Sequence, residues 1–186
     1  VAARLRARGV AAEVCAEAPA DADALIDLVA LGEGVHELPR RALSNARAVA
    51  KGMTERGGLY VLVQDTGGDF GLSGSERAWL GGFAGLVKTA AQEWPKVSAR
   101  ALDLDRAGRD VEAQADAIVS ELLFGGHELE VGLRADGTRL TIVSQAIPVA
   151  PTRAITDVVS AGDVVVVSGG ARGVTAACVL ALVRAT

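Results

Sequence analysis

Aromatic side chains are scarce in these 186 residues: three Phe, two Trp and one Tyr, 3% of the chain. A core made without them has to come from close packing of small aliphatic groups, which suits helices laid on a sheet. Cysteine is equally thin. Cys15 and Cys178 stand far apart, without any spacing that holds zinc or runs redox chemistry. Both lie in apolar stretches and are expected to be small core residues. Lysine occurs three times (Lys51, Lys88 and Lys96), and the net charge is −4 with a pI of about 5.2. No basic footprint for nucleic acid exists. The longest apolar runs, Val164 to Val167 and Ala176 to Val183, are too short to cross a bilayer. No signal-peptide pattern opens the chain. The expectation is a soluble, cytoplasmic protein with neither nucleic acid nor membrane as partner.

What is present can fold. Half of the residues are hydrophobic, 23% are charged and the mean hydropathy is +0.31. That balance excludes a disordered tail and predicts a buried core, with length for one domain and the start of a second. Both ends read as interrupted elements. Val1 to Gly9 reads as the second half of a helix stopped by Gly9, and Val174 to Thr186 reads as a helix that simply stops. A piece of a longer polypeptide is therefore expected.

Between the ends, short apolar runs alternate with amphipathic stretches. Val10 to Ala16 reads as a strand, followed by a loop with Pro19, Asp21 and Asp23. Ala24 to Leu31 is a nearly continuous apolar run, as in a parallel strand covered on both faces. His36 to Arg56 reads as a helix, with Leu38, Ala42, Ala46, Val49 and Met53 at helical spacing. Leu59 to Val63 is another buried-type strand, and Asp65 to Ser75 is a long glycine-rich loop. Ser73 or Ser75 is expected to cap a helix from Glu76 to Glu93, which Pro95 closes. Val97 to Asp105 reads as a strand and Asp110 to Phe124 as a helix. Glu128 to Arg134 and Arg139 to Ser144 flank Ala135 to Thr138, which reads as a hairpin or a tight polar turn. Pro148, Pro151 and Thr152 mark a linker, and Asp163 to Gly170 is the most strand-like segment of all. This alternation predicts an α/β fold: a Rossmann-like, doubly wound parallel sheet, truncated, then the first strand and helix of a second such unit.

Isolated polar residues carry little chemistry. His36 and His127 have no metal-spaced partners and are expected on the surface. Ser73 and Ser75 lie in no Gly-x-Ser-x-Gly elbow. Asp103 and Asp105, two apart on one strand, suit a strand-end loop role. The segment that does carry chemistry runs from Val164 to Ala176. Its spacing is Ser168-Gly169-x-x-x-Gly173-x-Thr175, and Gly170, Arg172 and Val174 complete it. Four valines lead into a turn where glycine lets backbone approach a pyrophosphate, and the next helix offers free N–H groups to the anion. Arg172 inside the turn either clasps the 2′-phosphate of an NADP ribose or is a solvated loop arginine.

That spacing is similar to the short-chain reductase pattern Thr-Gly-x-x-x-Gly-x-Gly, with Ser168 for the Thr and Thr175 for the last Gly. Upstream, Gly82, Gly85, Leu86, Lys88, Thr89, Glu93, Trp94 and Pro95, followed by the strand ending at Asp105, resemble ketoreductase domains of type I polyketide and fatty acid synthases. The motif order strengthens the resemblance, and the Gly-x-Thr variant looks like polyunsaturated fatty acid synthases and enediyne-type synthases. The resemblance implies a non-catalytic structural subdomain over residues 1–150, a linker over 151–162 and the start of an NADPH-binding catalytic subdomain over 163–186. It implies a parent that reduces a β-ketoacyl chain carried on an acyl carrier protein, with NADPH bound by Ser168, Gly169, Gly170, Arg172, Gly173, Val174 and Thr175. No catalytic residue is expected here. The family's Tyr is followed four residues later by Lys, whereas Tyr60 is followed by Gln64. The catalytic groups would lie beyond Thr186, in the catalytic half that this chain would support as a partner. Thr175 departs from the pattern. Its Cβ stands where helix packs close to strand, and its hydroxyl is able to bond a phosphate or ribose oxygen. Two other readings stay open: a non-catalytic scaffold of such a synthase, and a free-standing nucleotide-binding protein.

Overall fold

A computed structural model describes residues 1–148 and 158–186. The chain divides into two compact units, Val1–Val143 and Ser144–Thr186. In the first, α1 (Ala2–Arg6), β1 (Ala24–Asp27), α2 (Glu37–Arg56), β2 (Gly58–Gln64), α3 (Gly82–Glu93), β3 (Val97–Leu104), α4 (Val111–Phe124), β4 (Glu130–Leu133) and β5 (Arg139–Thr141) follow in order. The second holds α5 (Gly173–Ala185).

The strands form one sheet in sequence order, β1 to β5. The first four are parallel, and β5 turns back antiparallel on β4. Alternation along β2 explains how both faces are covered. Tyr60 and Leu62 face one way and pack with Val49 and Met53 of α2 and Val87 of α3. Val61 and Val63 face the other way, with Leu102, Leu104 and Ile118 of α4. The α/β, mostly parallel, Rossmann-like architecture read from the sequence is thus present, with helices on both faces. Because β1 to β4 step in one direction across the sheet, moving α4 to the opposite face reverses the hand of the β3–α4–β4 crossover relative to the two before it.

Local chemistry sets the ends of the elements. Asp27 stops β1: its Oδ1 accepts from Val29 N at 2.9 Å and tips the chain into a 3-10 turn, Val29–Leu31. The strand expected over Ala24 to Leu31 is therefore split. Pro39 sits in the first turn of α2, where no intrahelical donor is lost. Asp110 caps α4 by accepting from Ala113 N at 2.8 Å.

Three further expectations need correction. Val10 to Ala16 forms no strand: alanine is a weak strand former and no ladder engages the segment, so Val10 and Val14 stand exposed. Ser75 closes a local turn by accepting from Arg77 N at 3.1 Å, while Ser73 bonds Arg134, so neither caps α3. Cys15 and Cys178 are both exposed, because no described residue covers the segments that carry them. Pro151 and Thr152 of the expected linker lie outside the described residues.

Candidate functional site

Doubly wound sheets bind ligands beyond the carboxyl ends of their parallel strands. In the first unit that rim is filled by the chain's own glycine-rich loop, Asp65 to Ser75. Asp103, near the end of β3 and fully buried, holds it. One carboxylate oxygen accepts from Thr66 N at 2.6 Å; the other accepts from Thr66 Oγ1 at 2.8 Å and Phe70 N at 2.7 Å. Phe70 is thereby held at φ +59°, a left-handed conformation that costs a non-glycine residue about 1–2 kcal/mol. Gly68 lies so close to β4 that an added Cβ would stand 2.9 Å from Leu133 O. A Cβ on Gly132 would in turn collide with the Gly68 carbonyl.

Ion pairs close the rest of the rim. Asp69 takes Arg134 at 2.7 Å, and hydrogen bonds from Ser73 and Arg134 hold its carboxyl below the usual carboxylate range. Asp65 takes Arg106 at 2.7 Å and Arg77 at 3.3 Å, while Arg77 reaches back to Gly32 O at 2.9 Å. Asp105 accepts from Ala107 N at 2.9 Å and Ala135 N at 3.2 Å, the strand-end role read for it. These carboxylates are consumed in holding backbone N–H groups and arginine side chains. The arrangement is a clasp, and the one hydroxyl bonded to Asp103, that of Thr66, is buried inside it.

Tyr60 is a core residue. It is fully buried, with its ring centroid 5.5 Å from that of Trp94. Burial pushes its phenol far up, and the nearby Asp27 carboxylate adds to the shift. Gln64 donates to Thr66 Oγ1 at 3.2 Å and belongs to the same clasp. Asp27 is itself pushed up by burial, against the opposing bonds from Val29 N and from Asn45 Nδ2 at 3.1 Å.

A second charged cluster escaped sequence reasoning. Glu121 of α4 is buried between Arg100 of β3 at 3.3 Å and Arg139 of β5 at 2.8 Å, and Arg139 also meets Glu128 at 2.9 Å. The pattern carries no local signature: Arg100 and Arg139 come from strands 39 positions apart by residue number, and only the topology joins them. The Asp65, Asp69 and Arg134 contacts were equally hidden, although two aspartates, Asp65 and Asp69, in a glycine-rich loop at a strand end hinted at them.

The seven residues read as a nucleotide turn lie together in the second unit. Residues 168–172 form a turn that leads into α5 at Gly173. Gly169 (φ +74°) and Gly173 (φ +65°) use the left-handed region, with no heavy atom within 4 Å of where their Cβ would stand. A Cβ on Gly170 would press on Val167 Cγ1 at 3.3 Å. Arg172 is extended at φ −156° and gives α5 no side-chain cap. Ser168, Arg172, Val174 and Thr175 are all exposed. The leading segment Asp163 to Val167 is not a strand. It joins no described strand, Asp163 bonds only within a local turn to Ser160, and Val164 and Val166 are 91% and 94% exposed. A run of valines becomes a strand by hydrogen-bonding to another strand, and no described strand bonds to this one.

His36 and His127 are exposed, and among the described residues no three His, Cys, Asp or Glu side chains gather as a metal site. No described helix is long and apolar enough to cross a membrane.

Comparison with known proteins gives one informative match. The chain is 39% identical over 112 residues to one of the polyunsaturated fatty acid synthase subunits of a Thraustochytrium species, a stretch that covers 58% of this chain and 4% of that protein. The chain is thus similar to a small region of such a synthase. No protein-family model matches the chain, and no solved structure matches it.

Proposed function

We propose that the chain is the structural half of a ketoreductase region in a polyunsaturated fatty acid or polyketide synthase, joined to the opening of the catalytic half. The observation that carries this reading is the filled rim. A doubly wound unit whose ligand crevice is occupied by its own loop, through the buried Asp103, suits a supporting role. The similarity to part of a polyunsaturated fatty acid synthase supports the same reading.

In this reading the glycine turn is the cofactor end of the catalytic half. Open space at Gly169 and Gly173 suits close approach of a pyrophosphate to backbone. The uncapped N-terminus of α5 adds unpaired N–H groups and the positive end of a helix dipole. In this reading Arg172 meets the 2′-phosphate, and the Thr175 hydroxyl meets a phosphate or ribose oxygen. NADPH, when bound, supplies the hydride for a β-ketoacyl thioester carried on an acyl carrier protein. The proton donor comes from outside these residues, since Tyr60 is buried in the core.

The test is NADPH oxidation with a β-ketoacyl thioester, measured on this chain and on the same chain continued into about 200 further residues of its parent, roughly one domain. Turnover by the longer protein alone is the expected result. A folded longer protein without activity would move the assignment to a non-catalytic scaffold.

A further inference from the structure

Nearly every cation of the first unit is engaged. Arg77 and Arg106 share Asp65, Arg134 holds Asp69, Arg100 and Arg139 enclose Glu121, and Lys88 meets Glu130 at 3.0 Å. Helix α2 is the exception. From Leu38 to Thr54 it contains no carboxylate, yet it carries Arg40, Arg41, Arg47 and Lys51. Positions 40, 44, 47 and 51 are spaced by four, three and four, so they fall on one line along the helix. That line lies opposite the buried Leu38, Ala42, Val49 and Met53. Arg40 is 79% exposed and bound only to Glu37, one turn away. Arg47 and Lys51 are exposed, and no described residue pairs with either. Beside them Leu43, 49% exposed, adds an apolar contact, and Arg40, Leu43, Ser44, Arg47 and Ala48 line a shallow depression.

Glu37 and Glu55 bound this line at its two ends, three and four residues from Arg40 and Lys51, and between them it carries one sign, where opposite charges are normally interspersed on a solvated helix. In a chain of net charge −4 it is a local reversal of the protein's field. We propose that the outer face of α2 is a docking surface for an acidic protein helix, whose carboxylates pair with Arg40, Arg47 and Lys51 while an apolar residue covers Leu43. The three cations span 40 to 51, about 16 Å of helix, which matches three turns of a partner helix. Nucleic acid is disfavoured because the overall negative field opposes a polyanion along most of its length. An anionic membrane is disfavoured because one leucine supplies little area to bury. The inference stands independently of the ketoreductase reading.

The probe is an acetylated, amidated helical peptide of about 20 residues with glutamates at every fourth position and one leucine stripe. Its affinity for the whole chain is measured at low salt by fluorescence anisotropy. The expected result is binding that weakens roughly tenfold in the R47E/K51E double variant and is unchanged in R8E. Binding should also fall as the ionic strength rises, because these charges are exposed. Equal affinity for the double variant would overturn the proposal. So would tighter binding of a single-stranded oligonucleotide or of phosphatidylglycerol vesicles than of the peptide. Should the charge-reversed protein fail to fold, R47Q/K51Q replaces it, with roughly threefold weakening expected and no change counting against the proposal.

Discussion

Two runs of valine and leucine in this chain have opposite fates. Leu59 to Val63 lies within β2, paired on both sides by β1 and β3, with Tyr60, Val61, Leu62 and Val63 fully buried. Val164 to Val167 is at least as strand-like in composition, yet it pairs with nothing described and stands exposed. Strand propensity says that a segment fits a pleated, covered surface; the surface has to be supplied by other strands. The same contrast separates the glycines. Gly68 and Gly132 are pressed between backbones, whereas Gly169 and Gly173 face open space.

The comparison breaks most severely at Asp103. Asp103→Ala leaves the buried Thr66 N and the half-buried Phe70 N without acceptors and should cost the first unit about 2–4 kcal/mol, read by urea unfolding. An unchanged midpoint would show that the loop does not depend on the clasp. Gly132→Ala forces a Cβ against the Gly68 carbonyl and should cost about 1–3 kcal/mol. Gly169→Ala, strained only by its own backbone, should leave the unfolding of the first unit where it was. Equal losses from the two glycines would erase the distinction between them.

A smaller effect is expected from Asp69→Asn, and it depends on pH. The Asp69 carboxyl is held low by Ser73 and Arg134, so its ionised form favours the folded state. That contribution is present above the unfolded value of about 4 and is lost as pH falls through the lower folded value. The variant should therefore unfold earlier than the parent at pH 7, with the gap closing on acidification. A gap that widened in acid would contradict the assignment. Asp27 is shifted the opposite way by burial, so its contribution weakens as pH rises through its raised folded value. Least of all, Val166→Thr should change the stability of the first unit by no more than about 0.5 kcal/mol. Amide exchange makes the same point directly: Val61 to Val63 should be protected and Val164 to Val166 should exchange freely. Comparable protection in the two runs would mean that the second had found a partner strand.

Periodicity and punctuation make most of the first unit legible. The helix with Leu38, Ala42, Ala46, Val49 and Met53 buried, the hairpin around Asp136 and Gly137, and the strand ending near Asp105 all follow from local pattern. Val10 to Ala16 misleads because alanine fits either element and only a neighbouring strand decides. The clasp is half legible. Asp103 is recognisable as a strand-end carboxylate, but its bonds to Thr66 and Phe70 join residues more than 30 positions apart, and no window of sequence holds both ends. The glycine turn is readable in full as a turn before a helix, because its geometry is local.

The order of the strands bears on how such a unit comes to exist at all. Since β1 to β5 lie side by side in the order in which they are written, each new strand docks on one already in place. No strand waits for a distant partner, so the sheet is able to grow in step with its own synthesis. In such an order all five strands of the first unit precede the exposed valines at 164–167 in the chain. The exposed valines then follow once the inner strands β2 to β4 are paired, with the edges β1 and β5 of that sheet left open.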